Sequence, residues 1–288
     1  MTEFNATEIK RRPKAAYALP TLFTAGNIFL GYLSILRSFQ GSLLVATDPA
    51  NAALNFETAA KCIGVGMLLD GLDGRIARMT NTTSDFGREL DSLADIISFG
   101  IAPAMLAYVW GVHFVDVSVG PAIVDQIHRA GTLIVFMFLV CGAARLARFN
   151  VQKNPVPKNP GRPDRKYFVG LPIPAAAAAV AAVVFFFDSV PIRSWQLSAA
   201  WMATMGLLGF LMISTWRYYS FKDINLRSPR SPLILVILSA LIYGIWNWPQ
   251  IVLLAIALAY VMSGIVIRVV GLLRRLRPSV GKTGGQIA

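Results

Sequence analysis

Long apolar stretches alternate with short polar segments along the whole chain. Most of the apolar stretches are about 20 residues long, the length that an α-helix needs to cross the hydrocarbon core of a bilayer. The pattern predicts an all-α integral membrane protein with about eight transmembrane helices. Their expected positions are about 18–38, 52–79, 86–112, 127–148, 168–188, 195–216, 232–247 and 250–271.

The composition supports a membrane location. Hydrophobic residues make up 55% of the 288 residues and charged residues only 15%, and the mean hydropathy of +0.57 exceeds that of most soluble domains. Cys62 and Cys141 both fall in apolar stretches, so we expect them to be small packing residues. Two cysteines so placed indicate neither a disulfide framework nor a zinc site. The N-terminus shows no small-residue cleavage site that would indicate a removable signal peptide.

The 27 basic residues against 15 acidic ones give a net charge of +12. With a cytoplasmic N-terminus and eight alternating spans, all basic residues face the cytoplasm except Arg37, Lys61, Arg129 and Arg193. This bias predicts that both termini and the connection between the second and third spans lie on the cytoplasmic side of the cell's inner membrane. We therefore interpret the excess of basic residues as a determinant of membrane topology, and we expect these residues to attract anionic lipid head groups. No nucleic-acid partner is expected.

Two pairs of acids interrupt the apolar pattern in the sequence DGLDGRIARMTNTTSDFGRELDSLAD, residues 70–95. Asp70 and Asp73 end the second apolar stretch, while Asp91 and Asp95 begin the third. On helices, residues three or four apart share a face, so a tight hairpin would bring the two pairs together. Four such carboxylates need cations, and oxygen ligands suit Mg²⁺. The alternative is a pair of unrelated helix ends with solvated acids.

Other residues of this stretch suit a phosphate ligand. Gly71 and Gly74 leave room for a nucleotide near the backbone, and Arg78 can donate paired hydrogen bonds to phosphate oxygens. Gly87 would allow a close helix contact one turn before Asp91. The alternatives are an interfacial anchor for Arg78 and an ordinary loop glycine at position 87.

The pattern D-x-x-D-G-x-x-A-R, eight residues, then G-x-x-x-D-x-x-x-D resembles the signature of the CDP-alcohol phosphatidyltransferase family. All its positions are present: Asp70, Asp73, Gly74, Ala77, Arg78, Gly87, Asp91 and Asp95. The resemblance implies that the four aspartates bind Mg²⁺ or Mn²⁺, as two ions, with Asp95 also the general base. An acceptor hydroxyl would then attack the β-phosphorus of a CDP-linked lipid and release CMP.

The family resemblance also implies a nucleotide site and an overall organisation. CDP-diacylglycerol would contact Pro20, Thr21, Thr24, Asn27, Gly74, Arg78, Ser84 and Gly87, although small polar residues in a span also serve helix packing. We expect a basic interfacial segment at 1–17, a six-helix core at 18–223, two additional helices at 224–272 and a disordered tail at 273–288. The resemblance further suggests a homodimer.

Three further stretches resemble the branch of the family that makes phosphatidylserine from CDP-diacylglycerol and L-serine. They are ARLARFN at 144–150, FVGLPIPAAAA at 168–178 and WRYYSFKD at 216–223. Our hypothesis is that Arg145 or Arg148 binds the serine carboxylate, and the alternative is that both are positive-inside anchors.

Two kinds of rival function are considered. The first is the same transfer to another acceptor, namely glycerol 3-phosphate, inositol or choline. The second is an ion transporter, and the clustering of all four acids at one membrane face disfavours a transporter.

Overall fold

A computed structural model describes residues 15–80, 85–116, 118, 120–153, 167–219 and 232–276. These residues form nine α-helices and two short strands. The helices are α1 (Ala15–Leu44), α2 (Pro49–Thr80), α3 (Asp85–Asp95), α4 (Ala102–Gly111), α5 (Pro121–Lys153), α6 (Ile173–Phe186), α7 (Trp195–Ile213), α8 (Pro232–Asn247) and α9 (Pro249–Leu276). The strands are β1 (Tyr167–Val169) and β2 (Arg217–Tyr219), and a π-helical segment, Ile96–Ile101, joins α3 to α4.

The prediction of an all-α, multi-pass membrane protein is confirmed. Six helical stretches of the described chain are long and apolar enough to cross a bilayer: Thr21–Leu44, Pro49–Ile76, Asp85–Gly111, Pro121–Val151, Trp195–Ile213 and Pro249–Val270. α6 is apolar but shorter. Each of the eight apolar stretches of the sequence contains a helix, whereas the number of spans and the side of each terminus stay predictions.

Some helix boundaries differ from the expected ones because side chains and turns set them. α2 begins at Pro49, three residues earlier than its apolar pattern. The Asp48 carboxylate accepts hydrogen bonds from the backbone N–H of Asn51 at 3.1 Å and from its Nδ2 at 2.5 Å. These bonds lower the pKa of Asp48. Asp48 therefore acts as an N-cap, and Pro49 suits the first helical turn because its missing N–H needs no partner there.

A two-stranded antiparallel sheet shortens the fifth and sixth apolar helices. β1 pairs with β2, with Phe168 opposite Tyr218. Gly170 then turns the chain with φ of +76°, and a Cβ there would lie 2.5 Å from the Met212 carbonyl oxygen. As a result α6 starts at Ile173 and α7 ends at Ile213, and 168–172 and 214–216 are not helical.

Small residues bring α1 into close contact with α2 and the π-helical segment. A Cβ on Gly31 would lie 2.8 Å from the Ser98 Cα, and one on Gly41 would lie 2.9 Å from the Phe56 ring. Ser34 Oγ donates to the Ala59 carbonyl oxygen at 3.0 Å. This packing fixes the position of α1 beside the acidic ends of α2 and α3.

We expect Gly31→Ala to lower the free energy of unfolding by about 2 kcal/mol, because the new methyl group overlaps the Ser98 backbone. Gly64→Ala is the matched control, since a Cβ there meets no atom within 4 Å in the part of the chain that the structure describes, and alanine favours the helix. Thermal unfolding in detergent, followed by labelling of the buried thiols of Cys62 and Cys141, measures both. Equal melting temperatures for the two variants would contradict this packing.

Candidate active site

The acidic residues lie on two consecutive helices that form a hairpin. Asp70 and Asp73 lie in the last part of α2, which ends at Thr80, and α3 begins at Asp85. Asp91 and Asp95 lie on α3, one turn apart. The short connection brings the chain back on itself, so the acid-bearing faces of the two helices meet.

Three of the four carboxylates converge. One oxygen from each of Asp70, Asp91 and Asp95 lies within 4.8 Å of the other two, and all three residues are partly buried. Asp73 is outside this set of three, although it is close enough for the charges of Asp70 and Asp91 to act on it. Thr24 Oγ1 of α1 donates to Asp73 Oδ2 at 3.2 Å. Thr24 therefore orients the fourth carboxylate beside the cluster.

The carboxylate cluster has the chemistry of a divalent-cation site. Its donors are all oxygens, as hard cations such as Mg²⁺ prefer. Asp95 Oδ1 is buried and has no hydrogen-bond partner among the residues that the structure describes. A buried carboxylate oxygen without a partner is costly, and three acids this close repel one another. The donor set and the unpartnered oxygen both fit a bound cation.

The first helix carries a buried polar side chain, Asn27, which packs against α2 and the π-helical segment. Asn27 is fully buried, and its side-chain nitrogen and oxygen have no partner among the described residues. Its amide lies against α2, because a Cβ on Gly66 would lie 2.9 Å from Asn27 Oδ1. Ser98 Oγ donates to the Asn27 carbonyl oxygen at 2.8 Å. Asn27 thus connects α1 with the part of α2 that precedes the first acidic pair and with the π-helical segment that follows the second.

The surface beside the acids is open where the sequence predicts the nucleotide. A Cβ on Gly71 or Gly74 would meet no atom of the described residues within 4 Å. Gly87 is half-buried at the start of α3, and Thr21 is half-buried on α1. Pro20 and Arg78 lie in α1 and α2, but their side chains are outside the described part, as is the whole of Ser84.

The structure separates the two candidate arginines of α5. Arg148 is exposed, and its Nη1 donates to the Ile213 carbonyl oxygen at 3.3 Å, at the C-terminus of α7. Arg145 is half-buried, its Nε has no partner among the described residues, and the charge of Asp95 acts on it. Arg148 therefore contributes to helix packing through this hydrogen bond, whereas Arg145 keeps a buried Nε without a partner among the described residues.

Two residues of the region were missed by the sequence reasoning. Asn150 Nδ2 donates to Ser92 Oγ at 2.9 Å, which connects α5 with the helix that carries Asp91. Asn150 ends the ARLARFN stretch, so this stretch contained the signal. Tyr260 of α9 lies near Arg145, and no pattern in the sequence distinguishes it from other tyrosines near a span.

The chain is similar to known proteins over most of its length. A family model described as CDP-alcohol phosphatidyltransferase matches residues 17–263. The chain is 36% identical over 248 residues to a CDP-diacylglycerol–serine O-phosphatidyltransferase of Helicobacter pylori, covering 81% of this chain and 91% of the relative. It is 32% identical over 204 residues to a protein of the same name from Bacillus subtilis (71% and 91% covered). It is 37% identical over 207 residues to an archaetidylserine synthase of Methanothermobacter thermautotrophicus (70% and 69% covered).

Proposed function

The chain belongs to the CDP-alcohol phosphatidyltransferase family, and on that premise we propose that it makes phosphatidylserine from CDP-diacylglycerol and L-serine, releasing CMP. The convergence of Asp70, Asp91 and Asp95 within 4.8 Å carries the proposal, because phosphoryl transfer from a pyrophosphate needs concentrated charge compensation. The names of the relatives support serine as the acceptor. The protein is thus an enzyme of phospholipid biosynthesis.

We propose that Asp70, Asp91 and Asp95 hold Mg²⁺ or Mn²⁺, as two ions, with Asp73 completing the set. When bound, the cations would neutralise the pyrophosphate and polarise the attacked phosphorus. Asp95 accepts the proton of the serine hydroxyl at a carboxylate oxygen. A bond then forms between the serine Oγ and the β-phosphorus, and the bond from that phosphorus to the oxygen of CMP breaks.

For CDP-diacylglycerol we propose a site beside the open backbone of Gly74, with Arg78 and Gly87 at the pyrophosphate. Thr24 already donates to Asp73, so it acts by orienting that carboxylate. Asn27 is fully buried and acts through the packing of α1 against Ser98. Direct contacts of Pro20, Thr21, Thr24, Asn27 and Ser84 with the nucleotide stay predictions.

We assign the serine carboxylate to Arg145. We expect Arg145→Ala to raise KM for serine about 30-fold, since a charged hydrogen-bonded pair contributes about 2 kcal/mol. Arg148→Ala is the matched control, because its guanidinium is used at the end of α7; it should leave this KM within about twofold. Initial rates at varied serine measure both, and an unchanged KM in Arg145→Ala would contradict the assignment.

The wider organisation is also proposed. The distribution of basic residues supports an inner-membrane location with the carboxylates at the cytoplasmic face. We propose a six-helix core at 18–223, additional helices at 224–272, end segments at 1–17 and 273–288, and a homodimer. α1 begins at Ala15 and α9 continues to Leu276, and the rest of both end segments lies outside the described residues.

An acceptor panel tests the proposed function. Purified protein in lipid nanodiscs would receive CDP-diacylglycerol, Mg²⁺ or Mn²⁺ and one of serine, glycerol 3-phosphate, inositol or choline. We expect CMP release and a new phospholipid with serine alone. Equal or greater release with another acceptor would reassign the substrate, and cation uptake by sealed vesicles without any lipid product would favour the transporter.

A further inference from the structure

We propose that a cavity between the ends of α4, α6 and α7 binds one anionic phospholipid, with an acyl chain against its apolar wall and the phosphate paired with Arg193. The cavity has a volume of about 360 Å³, within the range of ligand-binding pockets. Aliphatic and aromatic side chains form most of its lining, and Arg193 is the one charged residue among the described residues that line it. This second site is separate from the carboxylates and independent of the proposed reaction.

The cavity lies far from the acidic cluster along the bundle. Its lining includes Trp110, near the end of α4, and the helical stretch Asp85–Gly111 is long enough to cross a bilayer. Trp110 follows Asp95 by 15 residues, so the two lie roughly 20 Å apart along the helix axis at a rise of about 1.5 Å per residue. Under the proposed topology the cavity is at the outer side of the membrane.

Hydrogen bonds and ring contacts fix the shape of the cavity. Ile192 N–H donates to the Trp110 carbonyl oxygen at 2.9 Å, which ties the turn between α6 and α7 to α4. The Trp201 indole N–H of α7 donates to the Ala107 carbonyl oxygen at 3.0 Å. The rings of Trp110 and Trp201 meet edge to face with 5.3 Å between their centroids. Three elements are therefore held together around a preformed cavity.

Arg193 differs from the other basic residues expected on the outer side. Arg37 donates hydrogen bonds to neighbouring amide side chains, and Lys61 and Arg129 form ion pairs. Arg193 is exposed, and its guanidinium has no ion pair or hydrogen bond with any residue that the structure describes. Asp116 contacts it through the backbone alone, since its N–H donates to the Arg193 carbonyl oxygen at 2.8 Å. The positive charge beside the cavity is thus available to a ligand.

These features suit a phospholipid with a net negative charge. The apolar lining can hold a hydrocarbon chain, and a guanidinium donates paired hydrogen bonds to phosphate oxygens. No carboxylate lines the cavity in the described part of the chain, so the cationic group of a zwitterionic lipid would gain no partner there. Trp195 begins α7 two residues after Arg193 and is exposed, as is typical of residues at the level of lipid head groups.

Photolabelling of the full-length protein tests the inference. Nanodiscs of phosphatidylcholine would contain a trace of phosphatidylglycerol or of phosphatidylcholine, each with the same photoreactive acyl chain, and labelled peptides would be quantified by mass spectrometry. We expect phosphatidylglycerol to label residues 183–204 more strongly than phosphatidylcholine does. Arg193→Gln should reduce this labelling about tenfold, in the range of one lost charge-assisted hydrogen bond. Arg129→Gln is the matched control and should label like the wild type, since Arg129 pairs with Asp125.

A second pair of variants tests the cavity itself. Ala200 lines the cavity, whereas its exposed neighbour Ala199 does not. Ala200→Leu should therefore reduce labelling of 183–204 by phosphatidylglycerol, and Ala199→Leu should not, with melting temperatures confirming that both variants fold. Equal labelling by the two lipids, or unchanged labelling in Arg193→Gln or Ala200→Leu, would overturn the inference. Displacement of the lipid by inorganic phosphate would also overturn it, because the site would then bind free phosphate.

Discussion

Asp95→Asn is expected to lower kcat for phosphatidyl transfer by about 1,000-fold or more. The change keeps the size of the side chain but removes the carboxylate that accepts the serine proton and one of the three converging ligands. General-base catalysis alone contributes typically 10² to 10⁴-fold, and loss of a ligand charge adds to that effect. Asp91→Asn should have a comparable effect because it also removes one of the three carboxylates.

The measurement is CMP release at saturating serine and CDP-diacylglycerol, with the amount of folded protein checked by its melting temperature. Asp85→Asn is the matched control. Asp85 is on the same helix, its side chain is 91% exposed, and it pairs with Arg88 away from the cluster, so this variant should retain nearly full activity. Activity of Asp95→Asn within tenfold of the wild type would rule out Asp95 as the base.

Removal of divalent cations is expected to abolish activity and to lower the melting temperature. Asp70, Asp91 and Asp95 repel one another when no cation compensates their charge. A cation present at 100 times its dissociation constant stabilises the folded state by about 2.7 kcal/mol. Chelation with EDTA should therefore stop CMP release, and Mg²⁺ or Mn²⁺ should restore it.

The melting temperature separates binding from catalysis. The wild type and Asp85→Asn should both be stabilised by added Mg²⁺ or Mn²⁺, whereas Asp70→Asn should respond much less because it lacks one of the converging oxygens. Titration of the metal against the melting temperature also gives its affinity without any turnover. An equal shift in Asp70→Asn and wild type would place the cation elsewhere.

The sequence allowed the membrane class, the family and the acidic hairpin to be predicted because each depends on local patterns. Apolar stretches of bilayer length reveal helices regardless of their neighbours. The spacing of Asp70, Asp73, Asp91 and Asp95 fixes which acids share a helix face. That Asp73 lies outside the converging three and accepts a hydrogen bond from Thr24 of α1 could not be read from spacing, since both depend on how α1 packs against α2.

Features that depend on distant contacts escaped prediction. The β1–β2 pair joins two three-residue segments about 50 residues apart in the chain, and such short strands have no recognisable alternation. Arg145 and Arg148 occupy equivalent positions in a basic stretch, and only the carbonyl at the end of α7 distinguishes them. The position of α9 depends on the buried ring of Tyr218 in β2, which packs against Gly264, and this contact has no local signature in the sequence.

The π-helical segment Ile96–Ile101 follows Asp95 directly, and this has a consequence for how the fold can change. In a π-helix each backbone hydrogen bond joins residues five apart, whereas in an α-helix it joins residues four apart. The helix faces of α3 and α4 are therefore rotated relative to each other about the helix axis, compared with a continuous α-helix. One residue gained or lost there would turn α3 by about 100° relative to α4. The length of this segment therefore sets the direction in which the carboxylates of α3 point relative to α4.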